Sequence, residues 1–198
     1  MKNAKIIFIL LILTLSISLT NAQTSIFTIA YSTGSLLGET ADYIGDYSWR
    51  GISIEERYFV ERDMSVGFYL GWNVFNKTLV NYTQPFDNAV LYGNQYRYIN
   101  AWPILVNAHY HFLREEVIRP YIGGGVGVYS VNRRTEMGLY ASSVKTWQFG
   151  FQPEAGIWID MADGLNLMLA AKYNYALKTS KGDALSFINI NFGLSFVY

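Results

Sequence analysis

Cysteine is absent from the 198-residue chain. No disulfide can staple the fold, and no thiol is available as nucleophile, metal ligand or lipid attachment point. Charge is scarce as well. Lys and Arg total 15 and Asp and Glu total 15, a balance without the basic excess that a nucleic-acid partner requires. Beyond the N-terminus, no apolar run approaches the roughly 20 residues of a helical membrane span. Aromatics, by contrast, are abundant, with 16 Tyr, 12 Phe and 5 Trp. So much aromatic surface, without a long apolar helix to carry it, must be covered in another way.

The N-terminus places the chain outside the cytoplasm. Lys2 and Lys5 precede the apolar run 6–13, and small residues follow through Thr20 and Ala22. A basic segment, a short apolar segment and a small-residue exit describe a secretory signal peptide. Cleavage is expected between Ala22 and Gln23. Residues 1–22 are then leader, and 23–198 form one domain.

Period-2 alternation dominates the remainder. Ile188, Ile190, Phe192, Leu194, Phe196 and Tyr198 form one row, with Asn189, Asn191, Gly193 and Ser195 between them. Residues 145–160 and 165–178 repeat the pattern. Successive strand side chains point to opposite faces, so each segment has one apolar and one polar face. The template predicts eight strands, over 25–36, 46–60, 64–76, 95–113, 119–131, 145–160, 165–178 and 185–198. Their connections alternate long and short, with long links at 37–45, 77–94 and 132–144 and tight ones at 61–63, 114–118 and 161–164. The last link, 179–184, is a shortened long one. The expected fold is all-β, an eight-stranded antiparallel up-and-down barrel.

Alternation alone does not say which face points outward. A soluble barrel hides its apolar row inside, whereas a membrane barrel turns it to lipid and keeps a polar interior. Three features favour the membrane. The polar rows carry Gly67, Gly71, Gly150, Gly156 and Gly193, which suit the cramped inside of eight strands. The strands reach the roughly 9–11 residues of a tilted membrane strand. Aromatics gather at both strand ends: Trp49, Trp72, Tyr96, Tyr98 and Trp147 toward the long links, and Tyr58, Tyr110, Phe112, Phe196 and Tyr198 toward the short ones.

Three stretches carry a resemblance to a known family: "SIEERYFVERDMSVGFYLGW" (53–72), "RPYIGGGVGVY" (119–129) and "INFGLSFVY" (190–198). They resemble the strand–turn–strand hairpin, the glycine-rich fifth strand and the C-terminal signature of small bacterial outer-membrane barrels. These are the OmpA-transmembrane-domain, OmpX and OmpW types, and the generic barrel domain of Bacteroidetes. The resemblance implies residence in outer-membrane lipid, delivery by periplasmic chaperones and the insertion machinery, and a monomer. It implies that Phe192, Leu194, Phe196 and Tyr198 form the insertion signal.

Four features remain. Pro103 and Pro153 lie within strands and suggest a bulge or an irregular register at each, because proline donates no ladder hydrogen bond. Glu56 falls on the outward row beside Tyr58, near the periplasmic rim, and Asn100 is out of phase, as if strand four shifted register there. The glycine run 123–127 lacks the spacing of a phosphate loop and reads as wall that makes room for large inward neighbours, with Tyr121 near the rim. The long link 77–94 is where binding would be grafted onto a rigid barrel.

Glu55, Arg57, Arg97, His109, Glu154 and Lys172 are expected to face the lumen as one polar network, with Glu154 and Lys172 as cross-strand neighbours. A narrow gated path for ions is the sharper alternative. His109 and His111 share a face, but no third ligand stands near them in sequence, so no metal, cofactor or catalytic group is expected. The reading is an envelope protein with a structural or surface-interaction role. Its alternatives are an OmpW-like transporter of small hydrophobic molecules, with lateral exit near Pro103 or Pro153, and a lipid A-modifying barrel enzyme.

Overall fold

The structure is a computed structural model, described over residues 24–86, 89–113 and 116–198. The expected leader and its cleavage point at Ala22 and Gln23 lie outside the described residues. Eight strands run in chain order: β1 (Ser25–Leu36), β2 (Gly51–Phe59), β3 (Met64–Phe86), β4 (Ala89–His111), β5 (Ile118–Met137), β6 (Tyr140–Ala162), β7 (Leu165–Ala176) and β8 (Leu185–Val197). Each pairs antiparallel with the next, and β8 closes on β1. A short helix, α1 (Glu39–Tyr43), interrupts the first long link.

The apolar row faces outward. Ile29, Ile54, Phe68, Val106, Ile122, Val126, Phe149, Phe151, Phe192 and Leu194 are all exposed, and Val106 reaches 60%. A contiguous apolar belt around a whole molecule is far larger than a soluble monomer displays. Lipid is the solvent that makes it favourable, and the soluble-barrel alternative is excluded. Tryptophans mark the upper edge of the belt, where Trp72 and Trp102 stack with ring centroids 5.6 Å apart. At the opposite edge Tyr110 meets Phe112 at 5.0 Å, and the Tyr198 hydroxyl donates to the Glu56 carboxylate at 2.6 Å. That bond gives the outward Glu56 a partner at the short-turn rim.

Four strands outrun their expected ends. The link 77–94 is an extended β3–β4 hairpin, and most of 132–144 is a β5–β6 hairpin turning at Gly138, where φ is +58°. Beyond the upper core layer of Phe75 and Ile99, the side chains of β3 over 77–85 are half-buried or exposed on both faces, so polarity no longer alternates although Thr78, Leu79, Val80, Tyr82 and Thr83 keep strand propensity. Strand two starts later than expected, at Gly51. Residues before it belong to the loop that carries α1 and bridges back through Ser48 to Gly34.

The prolines cause no slip. Partner numbering across β4–β5 runs unbroken through Pro103↔Tyr129, and β5–β6 runs unbroken through Gly124↔Pro153. Pairing lapses only on the other side of each, between Leu70↔Ile104 and Asn73↔Ala101, and between Phe151↔Tyr175 and Glu154↔Lys172, with register kept. The expected bulges at Pro103 and Pro153 are absent from these ladders. A missing N–H costs one ladder bond, not a residue of register. Asn100 needs no shift either. It faces outward two residues above Trp102, beyond the apolar belt, where an amide costs little.

Candidate functional site

The interior is stacked in layers. Toward the short turns lie Ile26, Phe59, Tyr121, Trp158 and Met168; toward the long links lie Leu36, Phe75, Ile99, Leu105 and Phe187, with Ile44 inserted from the α1 loop. A charged layer separates them. Inward parity on β2, β4, β6 and β7 brings Glu55, Arg57, His109, Glu154 and Lys172 together at one height.

The contacts are close and reciprocal. Arg57 Nε donates to Glu55 Oε1 at 2.7 Å, and its Nη2 donates to Glu154 Oε1 at 2.8 Å. Lys172 Nζ donates to Glu55 Oε2 at 2.9 Å and to Glu154 Oε2 at 2.5 Å. Asn107 Nδ2 adds a bond to Glu55 Oε1 at 2.6 Å, and His109 Nε2 lies 2.9 Å from Glu154 Oε1. The charged side chains are at most 2% exposed. Two carboxylates and two cations cancel, and every carboxylate oxygen has a partner. Such a set holds together only when complete, because desolvation of an unpaired charge outweighs what remains of its attraction.

Aromatic faces complete the cage. The Arg57 guanidinium lies 4.3 Å from the Tyr121 ring centroid and 5.0 Å from that of Trp158; Lys172 Nζ lies 4.4 Å from that of Tyr69. Tyr121 stands at the short-turn end, as expected, opposite His111 at the end of β4, but its side chain points inward and is buried, with its hydroxyl accepting from Arg57 Nη2 at 3.2 Å. Its parity with Gly123, Gly125 and Gly127 carried that information. Asn107, Tyr69 and Trp158 were likewise missed, although each shares inward parity with its strand's polar row. Tyr121→Phe should lower stability in refolded vesicles by about 1.5–3 kcal/mol, the worth of a hydrogen bond to a charged group. The urea midpoint reads it.

Arg97 does not join the network. It lies twelve residues from His109 along β4, roughly 40 Å at strand rise, and its guanidinium serves the outer mouth instead. There Nε donates to Gln95 Oε1 at 2.7 Å and Nη1 to the Tyr43 carbonyl at 3.1 Å. The histidines also part company. His111 bonds Ser65 Oγ at 2.8 Å and stacks on Trp158 at 4.9 Å, while His109 turns to the carboxylates.

Glu55, His109 and Glu154 bring one ligand atom each within 4.8 Å of one another, a triad drawn from three strands. The donor set does not suit a metal. The carboxylate oxygens already accept from Arg57 and Lys172, so an added dication would sit against two fixed cations. The geometry is that of an ion-pair lock.

The sequence matches no protein-family model and no curated protein. Solved structures do match. The attachment invasion locus protein Ail of Yersinia pestis superposes with TM-score 0.55 at 13% identity, covering 89% of this chain and 99% of that one. Neisserial surface protein A gives 0.54 at 15% identity, over 88% and 97%. The chain has the fold of the small outer-membrane β-barrels. The N-terminal barrel domain of OprF from Pseudomonas aeruginosa agrees, with TM-score 0.51 at 14% identity over 88% and 97%. At such identities the likeness is one of architecture.

In a transmembrane barrel of this kind the belt described above is the lipid-facing wall, and the charged layer is its interior. Phe192, Leu194 and Phe196 lie exposed on the lipid face of β8, and Tyr198 ends the chain at the short-turn rim.

Proposed function

We propose that the protein is exported by its N-terminal leader, inserted in the bacterial outer membrane through the C-terminal signal of β8, and works from its outer end. Its role is surface interaction, with the barrel as anchor. One observation carries this reading: the lumen is closed by the Glu55–Arg57–Glu154–Lys172 lock, while β3 to β6 project beyond the tryptophan level. The projecting parts form a four-stranded sheet. Its outer borders are the upper ends of β3 and β6, which β2 and β7 stop short of covering. Rigid strands raised above the lipid are suited to presenting a binding face.

The chain's lack of cysteine makes the topology simple to test. Leu139→Cys, at the β5–β6 tip, should react with a membrane-impermeant maleimide on intact cells, whereas Glu61→Cys in a short turn should react only after lysis. Deleting 79–94 should leave insertion and heat-modifiable gel migration unchanged but reduce cell–cell and cell–surface adhesion. Solute uptake into vesicles by the wild-type barrel would overturn the reading.

A transporter reading has one feature in its favour, the lapse in pairing beside Pro103. Stacked Trp72 and Trp102 sit at that gap, so lateral passage there requires them to part. Faster uptake of a small alkane by Trp102→Ala vesicles than by wild type is the result that reading predicts.

A further inference from the structure

The upper parts of β3 to β6 and the α1 loop enclose a cavity of about 670 Å³ at the outer mouth. That volume is ordinary for a small-molecule site. Tyr43, Tyr82 and Tyr140 line it, and Tyr140 is 58% exposed, so the cavity meets solvent. Gln84, Gln95 and Arg97 line it as well.

These polar side chains are tied in a fixed order. Gln95 Nε2 donates to Gln84 Oε1 at 2.6 Å, and Gln95 Oε1 accepts from Arg97 Nε at 2.7 Å. The Arg97 guanidinium carbon lies 4.9 Å from the Tyr43 ring centroid and 5.5 Å from that of Tyr82. The Tyr43 hydroxyl is held in turn by Thr135. Each amide oxygen already accepts one bond from within, and Arg97 Nη1 donates to the Tyr43 carbonyl. What these groups chiefly still offer a ligand is donors: the Gln84 amide and the N–H groups at the Nη2 end of the guanidinium. Among the described residues lining the cavity there is one cation and no carboxylate.

A ligand that fits must be rich in acceptors, carry one negative charge and present a flat face to the phenol rings. Pro85, Leu91 and Met137 also line the cavity and suit the apolar face of a sugar ring, but a wholly hydrophobic solute would strip water from the Arg97 guanidinium without replacing its hydrogen bonds. A polyanion would find a single cation. A pyranose bearing a carboxylate meets every condition, with its charge on a guanidinium fork shaped for that group.

We propose that this cavity binds a uronic-acid residue of a glycan, with the carboxylate on Arg97 and the sugar ring among Tyr43, Tyr82 and Tyr140. The proposal rests on the reading that the outer end is the working end. Uronic acids occur both in soluble polysaccharides and in lipopolysaccharide headgroups, and the chemistry of the site is the same for either.

Calorimetric titration of the refolded full-length barrel in detergent tests it, with D-galacturonate, D-galactose and acetate as probes. Galacturonate should bind at least about tenfold tighter than either of the others. Arg97→Gln should erase the preference over galactose, and Tyr82→Ala the preference over acetate. Both variants should keep heat-modifiable migration, since neither residue touches the buried charged layer. Galacturonate binding no tighter than acetate, or unaffected by Arg97→Gln, would overturn the proposal. Should Arg97→Gln fail to fold, Arg97→Lys, which keeps the charge and loses the planar fork, should narrow the preference for galacturonate over galactose without removing it. Repeating the titration in vesicles with and without lipopolysaccharide assigns the source: affinity suppressed by lipopolysaccharide points to the headgroup, and affinity retained points to a soluble glycan. Failure to bind any probe, with the maleimide topology intact, removes the sugar site and leaves the surface-interaction reading standing.

Discussion

Lys172→Met should lower the unfolding free energy of the inserted barrel by about 3–5 kcal/mol, the range for breaking a buried ion pair from one side. The substitution keeps most of the side chain's length and removes the ammonium, its charge and its hydrogen-bond donors together. Glu154 Oε2 and Glu55 Oε2 then lose the partner that now lies 2.5 Å and 2.9 Å away. Arg57 alone faces two carboxylates, and neither can reach water because their side chains are at most 2% exposed. Glu154→Gln creates the opposite imbalance, two cations against Glu55. The double variant restores neutrality, so its cost should fall below the sum of the singles by about 0.5–3 kcal/mol, the usual span of coupling between contacting residues. Urea unfolding in vesicles, followed by tryptophan fluorescence, measures all three.

The same variants separate a lock from a gate. Were the pairs a gate, freeing one partner would open a path, and Lys172→Met would raise single-channel conductance. As a lock, the layer contributes stability only. Conductance should stay at the wild-type level while the urea midpoint falls. Equal stability of Lys172→Met and wild type would refute the lock.

How much of this was legible beforehand depended on distance in the barrel. Parity along a strand is a local property of backbone geometry, so the eight strands and the inward placement of Glu55, Arg57, Glu154 and Lys172 follow from sequence. The membrane strands were readable because their two faces meet different solvents. Where neither face is buried, as in residues 77–85 and 132–136, the periodicity falls silent and strands look like loops. Height is the other hidden quantity. Arg97 and His109 share parity on β4 and their twelve-residue spacing already sets them roughly 40 Å apart, but only the register with the other strands shows which inward residues stand at the height of each. The grouping of Glu55, His109 and Glu154 is invisible for the same reason, since it exists only once the ring has closed. Five-residue α1 is too short to leave a periodic trace, yet it brings Tyr43 to Arg97.

Gly123→Leu should abolish insertion, leaving a chain whose gel migration no longer depends on heating. Gly123 faces inward opposite His109 on β4. A Cβ there would meet the imidazole at 2.2 Å and the Ala108 carbonyl oxygen at 2.5 Å. A ring tip could swing away, but a carbonyl fixed in the neighbouring ladder cannot, and His109 is itself held by Glu154. Even Gly123→Ala should cost about 1–3 kcal/mol, as overpacked cores do. The glycine run is not uniformly strict. A Cβ at Gly125 would find its nearest atoms at 3.2–3.4 Å, so Gly125→Ala should be milder than Gly123→Ala while Gly125→Leu still overfills the wall. Gly124 turns toward lipid and is the control. Its nearest atom, the Gln152 carbonyl oxygen, stands at 3.3 Å and need give only slightly, so Gly124→Ala should cost clearly less than Gly123→Ala, about 1 kcal/mol or less. The opposite order, with position 124 strict and position 123 permissive, would mean that the inward and outward rows of β5 are exchanged.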